Sequence, residues 1–238
     1  MYGSLIRKAL AQHPSSLSDK YEEGFASADN EHAVDLVLDA YPSKTDLSNL
    51  KIEKVCVDAF IFMVNKDNPV ESLTLKQIKD IYTGKVTNWA ELGGKNIPIK
   101  AYQRDATSSS QPVMAEQIMK GEPMIPQIQT SISWGMGQFR GVCAEYDNGV
   151  GSIGYAYIYQ FNKLYKDENV KILKIDGIAP SQEALASGSY PLSPFSVSYY
   201  GAARESDGPD SVGHKFLEWI LSAEGQKCVE QAGYVPAR

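Results

Sequence analysis

Residues 60–104 read FIFMVNKDNPVESLTLKQIKDIYTGKVTNWAELGGKNIPIKAYQR. The periodicity of this stretch changes twice. It opens inside an apolar run, Val55–Val64 (VCVDAFIFMV), whose length and β-branched and aromatic content predict one buried strand. Asn65–Val70 (NKDNPV) carries turn chemistry. Apolar residues then fall at Leu73, Leu75, Ile78, Ile81 and Tyr82, which is helical spacing, with Thr74 placed to cap and Gly84 to stop the helix. Ile97–Ala101 (IPIKA) predicts a further strand, and it leads directly to Arg104.

Beyond Arg104 comes a row of hydroxyls, Ser108, Ser109 and Ser110, running into a predicted helix over Ser110–Lys120. Serine caps helices and arginine is common on surfaces, so capping is one reading. The other is that the mouth of the helix holds an anion. Upstream, Leu5–Ala11 and Ser18–Phe25 read as short helices, and Val34–Leu38 (VDLVL) reads as a strand that ends at Asp39. Downstream, Val170–Ile175 and Phe195–Ala203 read as strands and Pro180–Ala186 as a helix. Val212–Gly233 reads as helical, with Phe216, Leu217, Ile220 and Leu221 on one face. Tyr155, Tyr157 and Tyr159 alternate as core positions, and Trp134–Gly141 (WGMGQFRG) reads as a surface turn. Strands alternating with helices predict an α/β architecture with mostly parallel sheets. No repeat or flexible linker interrupts it, so two lobes would have to be joined by ordered strands.

The 238 residues suffice for one large domain or two small ones, and 43% hydrophobic content suits a globular chain. A net charge of −6, with scattered Lys and Arg, argues against nucleic acid as a partner. Cys56, Cys143 and Cys228 are odd in number and far apart, and His13, His32 and His214 are equally dispersed. Neither a disulfide framework nor a metal site is expected, and no cofactor. No apolar run approaches the ~20 residues of a membrane helix. No signal peptide is apparent, which fits either a cytoplasmic protein or a mature form without its export segment.

Taken in order, several motifs resemble the phosphate-binding proteins of bacterial phosphate ABC transporters. They are VNKDNPV, LTLKQIKDIYTGKVTNWAELGG, the arginine followed by a serine-rich turn, GSIGYAYIY (151–159) and FLEWILSAEGQKCVEQAGYVPAR (216–238). The resemblance implies a two-lobed periplasmic-binding-protein-like fold of type II, with a ligand cleft between lobes joined by two crossover strands. Lobe one would be residues 1–61 plus 192–238, and lobe two residues 62–191. It further implies an extracellular protein, periplasmic or lipid-anchored, acting as a monomer without nucleic acid. Such a protein captures inorganic phosphate and delivers it to the membrane permease subunits of a transporter.

The resemblance places Arg104, Ser108 and Ser110 at ligand positions and Ser109 at the family's glycine. It places Ser4 and the N–H of Leu5 in an N-terminal donor turn, where Leu5 stands in for a hydroxyl residue. It places Asp39 facing the ligand, and Ser27 is the one hydroxyl near the expected second donor loop. The chemistry is coherent. A phosphate stripped of water needs replacement donors, which helix N-termini supply with a partial positive charge and arginine supplies as a planar fork. A carboxylate accepts a hydrogen bond from P–OH but repels fully ionised sulfate. Alternatives are another oxyanion, or a sensor or adhesion module with a degenerate site. A serine hydrolase would need a base beside its nucleophile, and no G-x-S-x-G elbow occurs.

Overall fold

The computed structural model describes residues 37–40, 48–104, 108–126, 149–164 and 169–238. The expected helices at Leu5–Ala11 and Ser18–Phe25, the turn at Trp134–Gly141, and Ser4, Leu5, Ser27, Cys143, His13 and His32 lie outside them. The chain divides into two compact units, Met1–Asp58 with Val197–Arg238, and Ala59–Ser196.

The first unit holds a four-stranded sheet in the order β1-β9-β2-β10, formed by Val37–Ala40, Val197–Arg204, Leu50–Asp58 and Val235–Pro236. All three of its pairings are antiparallel. Helices α4 (Val212–Leu221) and α5 (Ala223–Ala232) pack on this sheet through buried Leu217, Ile220 and Val229. The single helix expected over Val212–Gly233 is thus two. Ser222 ends the first at ψ 165° and caps the second, accepting from the Gly225 N–H. Glycine is required at 225, where a Cβ would lie 2.2 Å from the Trp219 carbonyl. Buried Gln226 secures the C-terminal strand. Its Nε2 donates to the carbonyls of Val55 and Ile220, and its Oε1 accepts from the N–H groups of Ala237 and Arg238.

The second unit is built on the sheet β5-β6-β3-β7, from Lys100–Ala101, Ser152–Tyr157, Phe60–Asn65 and Val170–Ile172. A two-stranded sheet pairs β4 (Ser72–Leu73) with β8 (Lys174–Ile175). Every residue of β3 and β6 is buried, which explains a run that reads as continuously apolar. Helix α1 (Leu75–Tyr82) forms where its spacing placed it, behind a complete capping box. Thr74 Oγ1 accepts from the Gln77 N–H at 3.1 Å, and Gln77 Oε1 accepts from the Thr74 N–H at 2.8 Å. Trp89 is fully buried and donates its indole N–H to the Gly151 carbonyl at 2.9 Å, closing the turn before β6. Helix α2 begins at Ser110–Pro112 and continues with π-helical hydrogen bonding over Val113–Ile118; helix α3 is Gln182–Ala186.

Three expectations are corrected. Val55–Val64 is not one strand but parts of β2 and β3, in different sheets. The chain changes sheet at Ala59, fully buried, whose carbonyl accepts from the Ile158 N–H at 2.8 Å. No Gly or Pro marks the change; the one polar residue beside it is Asp58, itself buried at the end of β2. Val170–Ile175 likewise divides between β7 and β8. The sheets are also not mostly parallel. Among the described residues, five strand pairings are antiparallel and two, β4·β8 and β5·β6, are parallel. Composition marks a strand as buried without naming its partner. β9 and β6 each return beside strands from the chain's first third, and no local signal foretells that.

Candidate anion site

The sequence from β5 to α2 builds the candidate site inside the second unit. β5 pairs in parallel with β6, Lys100 opposite Ser152 and Ala101 opposite Ile153, and Tyr102 extends the pairing by donating its N–H to the Ile153 carbonyl at 2.9 Å. This ladder carries the chain into Gln103 and Arg104, both buried. Gln103 Nε2 donates to the Ile125 carbonyl at 2.6 Å, which fixes the backbone just ahead of Arg104. Arg104 is only 7% exposed. Holding a guanidinium that far from water is costly without compensating charge or acceptors, so its placement is a specific feature of the fold.

Four residues on, the serines meet the start of α2. Ser110 is fully buried and Ser108 and Ser109 are half-buried. The hydroxyls of Ser108 and Ser110 lie 3.0 Å apart and share a hydrogen bond. Ser109 stands at the N-cap position with φ −56° and ψ −26°, and its side chain makes no capping bond. Capping alone therefore does not explain the serine row: the residue at the cap does not cap. Ser108 contributes its carbonyl instead, accepting from the Gln111 N–H at 3.0 Å.

Two residues join this arrangement that the sequence reading did not assign to it. Gln111 Oε1 accepts from the Arg104 backbone N–H at 3.0 Å and from the Tyr155 hydroxyl. The Tyr155 oxygen lies 3.3 Å from the same Arg104 N–H. Tyr155 is fully buried, as its alternation predicts, and packs on Phe60, Phe62 and Tyr82 at ring separations of 5.7, 5.9 and 5.7 Å. Burial pushes its phenol well above the ordinary value, outweighing the downward pull of the Arg104 N–H and guanidinium. It stays protonated and donating at physiological pH. Tyr155 was legible as core; its polar end was not, because its partner Gln111 lies 44 residues away in sequence.

Asp39 lies within β1 rather than after a strand, opposite Tyr200 of β9. Ser4 and Leu5 fall outside the described residues. Among the described residues, no group of His, Cys, Asp and Glu is gathered to hold a metal ion. Cys56 and Cys228 are free thiols, and burial pushes the Cys56 thiol up, leaving it protonated.

Residues 42–224 match the sequence profile of the PBP superfamily domain. The chain belongs to the PBP superfamily. Among curated PBP-superfamily relatives, it is 28% identical over 192 residues to the phosphate-binding protein PstS of Bacillus subtilis, covering 80% of this chain and 59% of that one. It is 28% identical over 216 residues to the PstS of Staphylococcus saprophyticus, covering 88% and 65%. The chain thus spans roughly three fifths of the length of the curated relatives it matches. A Clostridium perfringens crystal structure, described as a putative phosphate ABC transporter substrate-binding protein with bound phosphate, superposes with a TM-score of 0.59 at 29% identity, covering 91% of this chain and 84% of that one. An ABC-type phosphate transport receptor from Vibrio cholerae superposes with a TM-score of 0.60 at 21% identity, covering 98% and 94%, which speaks to the fold alone. The PBP-like fold expected from the motifs is the fold of these relatives.

Proposed function

We propose that this protein captures inorganic phosphate and passes it to the membrane subunits of an ABC transporter, without chemistry of its own. The observation that carries the proposal is local. A buried arginine and a hydrogen-bonded pair of serine hydroxyls belong to one short segment, at a helix start whose cap residue does not cap. Such a segment suits a tetrahedral oxyanion, because the guanidinium supplies charge while hydroxyls and N–H groups supply directed donors. The 29% identical Clostridium protein with bound phosphate supports phosphate among the oxyanions.

In this reading Arg104 neutralises the anion, Ser108 and Ser110 donate through their hydroxyls, and Ser109, at the family's glycine position, donates through its backbone N–H. Ser4 and the Leu5 N–H add donors, and Asp39 accepts a hydrogen bond from the P–OH that phosphate retains near neutral pH. Delivery to a transporter implies action outside the cytoplasmic membrane, in the periplasm or at a lipid-anchored cell surface, as a monomer. Among the described residues no helix is long and apolar enough to cross a membrane.

Calorimetric titration with phosphate and with sulfate tests the proposal. Phosphate should bind about a thousandfold more tightly, because sulfate leaves the Asp39 carboxylate facing an anion with no proton to share. Asp39→Asn should narrow that ratio. Equal affinity of the wild type for the two anions would overturn the role of Asp39, and no heat with phosphate would overturn the function.

A further inference from the structure

We infer that Gln111 is a positioning residue for anion capture, setting the separation between Arg104 and the serine hydroxyls; this rests on the phosphate reading of that segment. The need for such a residue comes from the connectivity. Arg104 lies three residues beyond the end of β5, Ser108 and Ser110 flank the N-cap of α2, and a grip on one small anion requires the two to keep a fixed spacing. Gln111 is the second residue of α2, so its backbone moves with the serines. Its side-chain oxygen accepts from the backbone N–H of Arg104 at 3.0 Å, so its far end moves with the segment that leaves β5.

Tyr155 makes the tie rigid. It stands on β6, the neighbour of β5 in the sheet that delivers Arg104, and donates its hydroxyl to the same Gln111 oxygen. One carbonyl oxygen thus joins the segment leaving β5, the adjacent strand β6 and a helix mouth. Both partners of that oxygen are donors, an amide N–H and a phenol O–H, so the side-chain amide is held oxygen-first and a nitrogen there would face two donors. The Tyr155 ring is itself fixed among Phe60, Phe62 and Tyr82, so the tie is anchored in the core of the unit. Gln111 acts through Arg104 and the serines and need not touch the anion.

Gln111→Met keeps length and volume and removes the acceptor. Tyr155→Phe keeps the ring and removes the hydroxyl, with its bond to Gln111 and its 3.3 Å contact to the Arg104 N–H. Phosphate calorimetry should show about tenfold weaker binding for Gln111→Met and a smaller loss for Tyr155→Phe. The double variant should lose less than the sum of the two single losses, because the bond they share is lost only once. A generally loosened fold would instead give additive losses. Exchange of the Arg104 amide proton, followed by NMR in phosphate-free protein, should quicken at least about tenfold in Gln111→Met while amides of β3 keep their protection. Wild-type phosphate affinity in Gln111→Met, or additive losses, would overturn the inference. Should the wild type bind no phosphate, the functional reading fails, and unchanged Arg104 exchange in Gln111→Met would separately overturn the tie.

Discussion

Ser109 stands where the resemblance puts a glycine, and its backbone shows what the exchange costs. At φ −56° and ψ −26° it occupies ordinary right-handed helical space, open to any L-residue. No positive φ is demanded, so the hydroxymethyl group brings no backbone strain. Ser109→Gly should therefore leave phosphate affinity within about twofold while costing roughly 0.5–1 kcal/mol of stability through added unfolded-state freedom. Calorimetry and urea denaturation read the two effects, and a tenfold gain in affinity would show that the serine obstructs the site. The arginine and the serines were legible because their chemistry and spacing lie within one short segment. Gln111 and Tyr155 were not legible in these roles, because a glutamine in a helix and a tyrosine in a strand announce nothing until the fold joins them.

Elements were legible where their signals are local. Helix α1 follows from its apolar spacing and from Thr74 and Gln77, which form both halves of the capping box. Thr74→Ala removes one half and should cost about 1 kcal/mol in urea denaturation, with phosphate affinity unchanged because α1 contributes no proposed ligand. A shift in affinity with no loss of stability would contradict that separation. Signals that depend on a distant partner failed. Val55–Val64 is apolar apart from Asp58 because β3 is buried along its length and β2 along its final residues, and that shared burial conceals the change of sheet at Ala59. The antiparallel partners of β2 and β3 in β9 and β6 arrive from at least 89 residues later, the separation of Val64 and Ile153. The division of the C-terminal helix was within reach, since Ser222 is followed at once by a glycine-containing helical turn.

The whole molecule carries a net charge of −6, yet is proposed to hold an anion. The two are compatible because long-range repulsion is screened over roughly 8 Å at physiological salt, whereas a buried guanidinium acts at contact. Net charge then bears on solubility and encounter, and the local donors determine affinity. Motifs at the middle and the end of the chain disclosed the family before any fold was assembled. They could not disclose that the guanidinium is buried, which depends on the packing of β5, β6 and α2. The most direct measurement is a calorimetric titration of phosphate into the wild type and Arg104→Ala. Tight binding by the wild type is expected, weakened in the variant by at least ~2 kcal/mol, about thirtyfold in Kd, as for loss of a buried charged donor. An Arg104→Ala variant that binds phosphate as tightly as the wild type would contradict the account.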